Sequence, residues 1–148
     1  MDLIETSWHT TALPDDVWAV LADGWLYSSW VVGASRIRDA DRDWPAVGSR
    51  IHHSVGAWPF LLDDETRVLV CQRGQLLTLL ARTRPLGEAE VEITLAEQPG
   101  GGTEIRMRED FVSGIGKAAP AALRQRALVP RNRESLRRLG YLAEGRAR

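Results

Sequence analysis

Residues 88–97 read Glu88-Ala89-Glu90-Val91-Glu92-Ile93-Thr94-Leu95-Ala96-Glu97. Successive side chains of an extended chain point to opposite faces, so Ala89, Val91, Ile93 and Leu95 share one side and Glu88, Glu90, Glu92 and Thr94 the other. Such a strand buries one face and wets the other, as in an antiparallel sheet covered on one side. Toward the C-terminus, Pro99-Gly100-Gly101-Gly102 turns the chain. Thr103–Phe111 then repeats the pattern, with Ile105 and Met107 inward and Glu104, Arg106 and Arg108 outward. Toward the N-terminus, Pro85-Leu86-Gly87 marks a turn, and the apolar-rich runs 66–72 and 75–83 are separated by the hairpin signal Arg73-Gly74. Asp63-Asp64 reads as a further turn.

Further outward, residues 49–57 alternate again, Trp58-Pro59 interrupts them, and Pro45 with Gly48 marks the preceding turn. A segment near 33–41 and the opening stretch 2–11 bring the strands to seven. Between those two segments Pro14 starts a helix, with Asp15 and Asp16 in the first turn, where the helix dipole favours acids. Val17, Val20 and Leu21 form its apolar stripe, Gly24 ends it, and a second short helix over 25–30 carries Trp25, Leu26 and Trp30. The chain closes on a long helix, 120–144, where Leu128, Asn132, Leu136, Leu139 and Leu142 share one face and Arg126, Arg133 and Arg137 lie opposite. Pro130 removes a backbone donor and is expected to kink this helix or split off its first turns.

These elements predict an α+β fold: strand, two short helices, six strands and a long C-terminal helix. Residues 1–148 fit a single domain, with 44% hydrophobic and 26% charged side chains, ordinary values for a globular protein. Cys71 is the lone cysteine, so no internal disulfide forms and a reducing compartment is expected. No apolar run approaches the roughly 20 residues that span a bilayer, and Met1–Glu5 lacks the signature of a signal peptide. A cytoplasmic protein without stable membrane insertion follows as the expectation. The net charge of -1 argues against a nucleic-acid partner, although the charge is uneven. Residues 1–119 hold 11 basic and 18 acidic side chains, whereas residues 120–148 hold eight arginines against Glu134 and Glu144. A solvated basic helix complementing an acidic body is the simplest account.

The order and lengths of these elements resemble the SRPBCC superfamily, and more narrowly its bacterial polyketide cyclase/dehydrase-like branch. The resemblance rests on Pro14-Asp15-Asp16-Val17-Trp18, Val47-Gly48-Ser49-Arg50-Ile51, Pro85-Leu86-Gly87 with the strand after it, and Gly101-Gly102-Thr103-Glu104-Ile105. The closing helix adds Asn132-Arg133-Glu134-Ser135-Leu136-Arg137-Arg138-Leu139. The resemblance implies a helix-grip (START-like) fold, in which a curved seven-stranded antiparallel sheet wraps the C-terminal helix. It also implies a ligand cavity between the two. Members of the superfamily bind or transform lipids, sterols, polyketides and aromatic compounds. These are fold-level signals and carry no catalytic signature.

Parity then selects candidate site residues. On the strand 49–57, Ile51, His53 and Val55 point inward, while His52 shares the outer face with Arg50 and Ser54. An inward histidine beside a cavity can orient a carbonyl or exchange a proton near neutral pH. Glu109 keeps the inward parity of Ile105 and Met107, with His53, Asn132 or Arg131 as partners, whereas Asp110 falls outward. His53 and Glu109 are thus the candidate catalytic pair, and Arg131 is placed to meet an acidic ligand group. Ligand contacts are expected from Trp30, Trp58 and Phe60, from Leu77, Leu79, Val91 and Met107 on the central strands, and from Leu128 and Asn132 on the closing helix. No metal-ligand spacing of His and Cys appears, no cofactor is expected, and the glycines at 100–102 precede a strand, unlike a phosphate-binding loop. Cys71 lies in an apolar strand without an activating base.

Three functions fit this pattern: binding of a hydrophobic small molecule, a polyketide cyclase- or dehydratase-like enzyme using His53 and Glu109, and a protein-binding module. Convergence of His53 and Glu109 on one pocket favours the enzyme, and a filled interior favours the protein-binding module. Homodimerisation through a sheet edge is left open by the sequence.

Overall fold

The computed structural model describes residues 4–55, 62–83 and 85–147, with the backbone alone at Val55 and Thr83. Strand β1 (Ile4–Thr10) leads into α1 (Pro14–Leu21), a single 3-10 turn (Gly24–Leu26) and α2 (Tyr27–Trp30). Six strands follow: β2 (Ala34–Ala40), β3 (Arg50–Val55), β4 (Leu62–Gln72), β5 (Leu76–Thr83), β6 (Gly87–Glu97) and β7 (Thr103–Phe111). Helices α3 (Ile115–Ala118) and α4 (Ala121–Arg146) close the chain. All strand pairs are antiparallel, in the order β1-β7-β6-β5-β4-β3-β2. The first strand is thereby brought beside the last, and β1 and β2 form the two edges of the sheet.

The periodicities that define the strands also build the core. Ala89, Val91 and Ile93 of β6 are buried together with Ile105 and Met107 of β7, and they register directly, Ile93 opposite Met107 and Leu95 opposite Ile105. Against this face α4 presents Leu128, Asn132, Leu136 and Leu139, while α1 contributes Val17, Trp18, Val20 and Leu21. Gly140 lets α4 approach β1 closely: a Cβ there would stand 3.2 Å from the Trp8 ring.

Three local expectations are corrected, and one element was not foreseen. Asp63-Asp64 is not a turn but lies within β4, paired with Ser54 and His53 of β3. Cations make this tolerable: Arg82 of the adjacent β5 bonds the fully buried Asp64, and Arg38 of β2, one strand beyond β3, lies 3.4 Å from Asp63. Asp110, expected on the outer face, is nonetheless buried. Near the strand end it is covered by Arg124 of α4, which donates to both of its oxygens at 2.9 and 3.3 Å. Pro130 does not split α4, which runs unbroken from Ala121 to Arg146. The acceptor that proline leaves free belongs to Arg126, on an exposed face of the helix where water can satisfy it. Finally, the short helix α3 had no periodic signal to reveal it.

The asymmetric charge is used in assembly. Arg124 and Arg131 tie the basic helix to Asp110 and Glu109 of β7, and Arg137 and Arg138 pair with Glu134 within the helix.

Candidate functional site

Between the sheet and the first turns of α4 lies a cavity of about 290 Å³. Its walls come from Tyr27 of α2, the connection Val31-Val32-Gly33-Ala34, His53 of β3, Ala81 of β5 and Ala89 of β6. Glu109 and Phe111 of β7, Pro85 and Leu86 of the β5–β6 turn, and Ala127, Leu128 and Arg131 of α4 complete it. Five of these positions are Gly33, Ala34, Ala81, Ala89 and Ala127, and the space exists because their side chains stop short. Helix α4 also fixes the connection that lines it: Ser135 Oγ accepts from Val32 N at 3.0 Å, and Arg131 Nε donates to Val32 O at 3.0 Å.

Two polar groups interrupt the apolar wall. In the first, Arg131 Nη1 donates to the buried Glu109 Oε1 at 3.2 Å and lies 3.4 Å from Asn132 Oδ1. In the second, Thr66 Oγ1 stands 3.1 Å from the Tyr27 hydroxyl and 2.9 Å from His53 Nε2. The Tyr27 and His53 rings lie tilted beside each other, with centroids 5.4 Å apart. Among the described residues, His53 Nδ1 and Asn132 Nδ2 are buried without a hydrogen-bond partner.

Burial lowers the His53 pKa to about 4; Asp64 opposes this, while Arg38, His52 and Arg131 add to it. The imidazole is therefore neutral at physiological pH. Burial likewise raises the Tyr27 phenol, with Glu109 adding and Thr66 and Arg131 opposing, so the hydroxyl keeps its proton.

The candidate residues divide clearly. His53, Glu109 and Leu128 line the main cavity, and of the partners proposed for Glu109 the structure selects Arg131. Trp30, Leu79, Val91, Met107 and Asn132 instead surround an adjoining void of about 20 Å³, which has room for roughly one water molecule. Ile51 and Leu77 are fully buried in the core and reach neither space. Trp58, Phe60 and the side chain of Val55 lie outside the described residues. Sequence reasoning missed Tyr27, Ala81, Ala89 and Phe111 as lining groups. Ala89 and Phe111 do carry inward parity, but parity alone does not separate residues that line a space from those that fill it. Among the described residues no cluster of three or more His, Cys, Asp or Glu side chains could hold a metal ion, and no helix is long and apolar enough to cross a membrane.

No curated protein matches the sequence. Among solved structures, a protein of Rhodobacter sphaeroides is 22% identical with a TM-score of 0.73, over 97% of this chain and 93% of that one. A protein of Chromobacterium violaceum is 20% identical with a TM-score of 0.71, over 97% and 99%. The di-domain ARO/CYC StfQ from the steffimycin biosynthetic pathway is 12% identical with a TM-score of 0.71, and 99% of this chain covers 52% of that one. At these identities the likeness is one of fold, and that fold is the helix grip. Residues 1–144 match the model of the family described as polyketide cyclase / dehydrase and lipid transport, and the chain belongs to that family, within the SRPBCC superfamily.

Proposed function

We propose that this protein binds a hydrophobic small molecule in the cavity between the sheet and α4. The observation that carries the reading is the cavity itself: about 290 Å³ walled mainly by apolar side chains, with its polar groups gathered into two small sets. Burying apolar ligand surface there would contribute roughly 25 cal/mol per Å² before the costs of association. The family supports a ligand-binding role of this kind. The natural ligand would be a lipid, polyketide or aromatic compound, in a cytoplasmic setting and with no nucleic-acid partner.

A second reading, acid–base catalysis on the bound molecule, is favoured by one observation: His53 and Glu109 wall the same cavity. It ranks behind binding because Glu109 is engaged by Arg131 and His53, with its pKa near 4, is a weak base.

Native mass spectrometry of the purified protein, followed by extraction of whatever co-purifies, tests the binding reading. Ala89→Leu projects a larger side chain into the cavity. A compound found in the parent and lost in this variant supports the reading. A parent protein that carries nothing and takes up no hydrophobic fluorescent probe overturns it and moves the protein-binding module to first place.

A further inference from the structure

Resting on the cavity reading above, we propose that the occupant is an uncharged molecule of about two fused rings, and that anionic amphiphiles are excluded. Among the described residues the cavity is lined by two ionic side chains, Glu109 and Arg131, and these are bonded to each other. Their charges cancel, and among the described residues no counter-charge is left over for a ligand. A ligand carboxylate would meet an arginine whose charge already answers Glu109, and would add an uncompensated negative charge to the cavity, which is heavily penalised. Arg131 is poorly placed to swing, because its Nε is held by Val32 O at 3.0 Å. The remaining titratable groups in the lining, Tyr27 and His53, are both neutral and supply hydrogen bonding without charge.

Size follows from volume. An apolar cavity of about 150 Å³ accommodates one benzene ring. The space here is about 290 Å³, close to twice that. A four-ring system would require the walls to move.

Isothermal titration calorimetry at neutral pH with three probes decides the matter: 2-naphthol, 2-naphthoate and pyrene. The first two share a ring system and differ in charge, and the third is uncharged and doubles the ring count. We expect 2-naphthol to bind at least about tenfold more tightly than 2-naphthoate, and pyrene to show no binding. In Glu109→Gln, Arg131 is left as a free cation, and 2-naphthoate should then match or exceed 2-naphthol. Should that variant not fold, the ratio measured on the parent still decides. If 2-naphthoate or pyrene binds the parent as tightly as 2-naphthol, the proposal on ligand class is overturned while the cavity reading stands. If none of the three binds, the proposal on ligand class fails, and the cavity reading is decided separately by the co-purification and fluorescent-probe test above.

Discussion

Glu109 of β7 and Arg131 of α4 meet at 3.2 Å inside the cavity, joining the sheet to the helix that covers it. Glu109 is almost fully buried, whereas Arg131 keeps a third of its side chain exposed. Removing the arginine therefore strands a carboxylate out of water. Arg131→Met should lower unfolding stability by about 3 kcal/mol. The double variant Glu109→Gln, Arg131→Met should recover at least half of that loss, since no uncompensated charge remains. Urea denaturation of the two single variants and the double variant measures the coupling. Strictly additive losses would mean that the two side chains do not depend on each other.

Protonation of His53 should destabilise the fold. Its folded pKa, about 4, lies below the ordinary value of 6.5, so between these limits the unfolded chain binds the extra proton. The contribution is fully present above about pH 6.5 and is lost as pH falls toward 4, amounting to roughly 3 kcal/mol. Carboxylates in general also titrate in acid, so the comparison must be differential. His53→Gln should show a shallower stability profile between pH 6.5 and 4, and parallel profiles for the two proteins would refute the assignment.

Thr66 serves two rings at once, accepting or donating at both the Tyr27 hydroxyl and His53 Nε2. Thr66→Val preserves shape and removes both bonds, leaving two buried polar atoms unsatisfied. A loss of about 2 kcal/mol is expected. Thr66→Ser, which keeps the hydroxyl, should lose less than half as much. Equal losses in thermal unfolding would assign the effect to packing of the methyl group.

Gly87 supports the turn that carries Pro85 and Leu86 to the cavity mouth. Its φ is +118°, and a Cβ there would stand 2.1 Å from the Ser113 carbonyl oxygen. Gly87→Ala should therefore cost at least about 2 kcal/mol. Gly100→Ala meets nothing within 4 Å and serves as the neutral comparison. Equal melting temperatures for the two variants would show that the backbone at Gly87 relaxes easily.

The sheet was legible because parity is a local property: Val91, Ile93, Ile105 and Met107 declare their face whatever lies opposite. The same rule correctly sent His53 inward and His52 outward. It could not show that the outward Asp110 is buried, because the cover there is Arg124 of α4, an element parity does not see. It failed at Asp63-Asp64, where Arg82 and Arg38 make two acids acceptable within a strand. The cavity was hardest to read. Leu77 and Leu79 point inward as expected, yet inward residues fill space as readily as they line it. What marks the void is the absence of bulk at Ala81 and Ala89, and an alanine in a strand gives no sign of whether a neighbour fills the gap.

Helix α4 has seven buried residues, and six of them, Asn132, Ser135, Leu136, Leu139, Gly140 and Ala143, come after Pro130. Before it, Leu128 alone is buried, and that stretch forms the cover of the cavity. One helix is thus divided into an anchor and an awning. Apart from Arg124, which holds the buried Asp110, and Leu128, the awning touches few core contacts, so substitutions at its other positions can reshape the cover with little harm to folding. The span of helix that secures the fold is thus largely separate from the span that roofs the cavity.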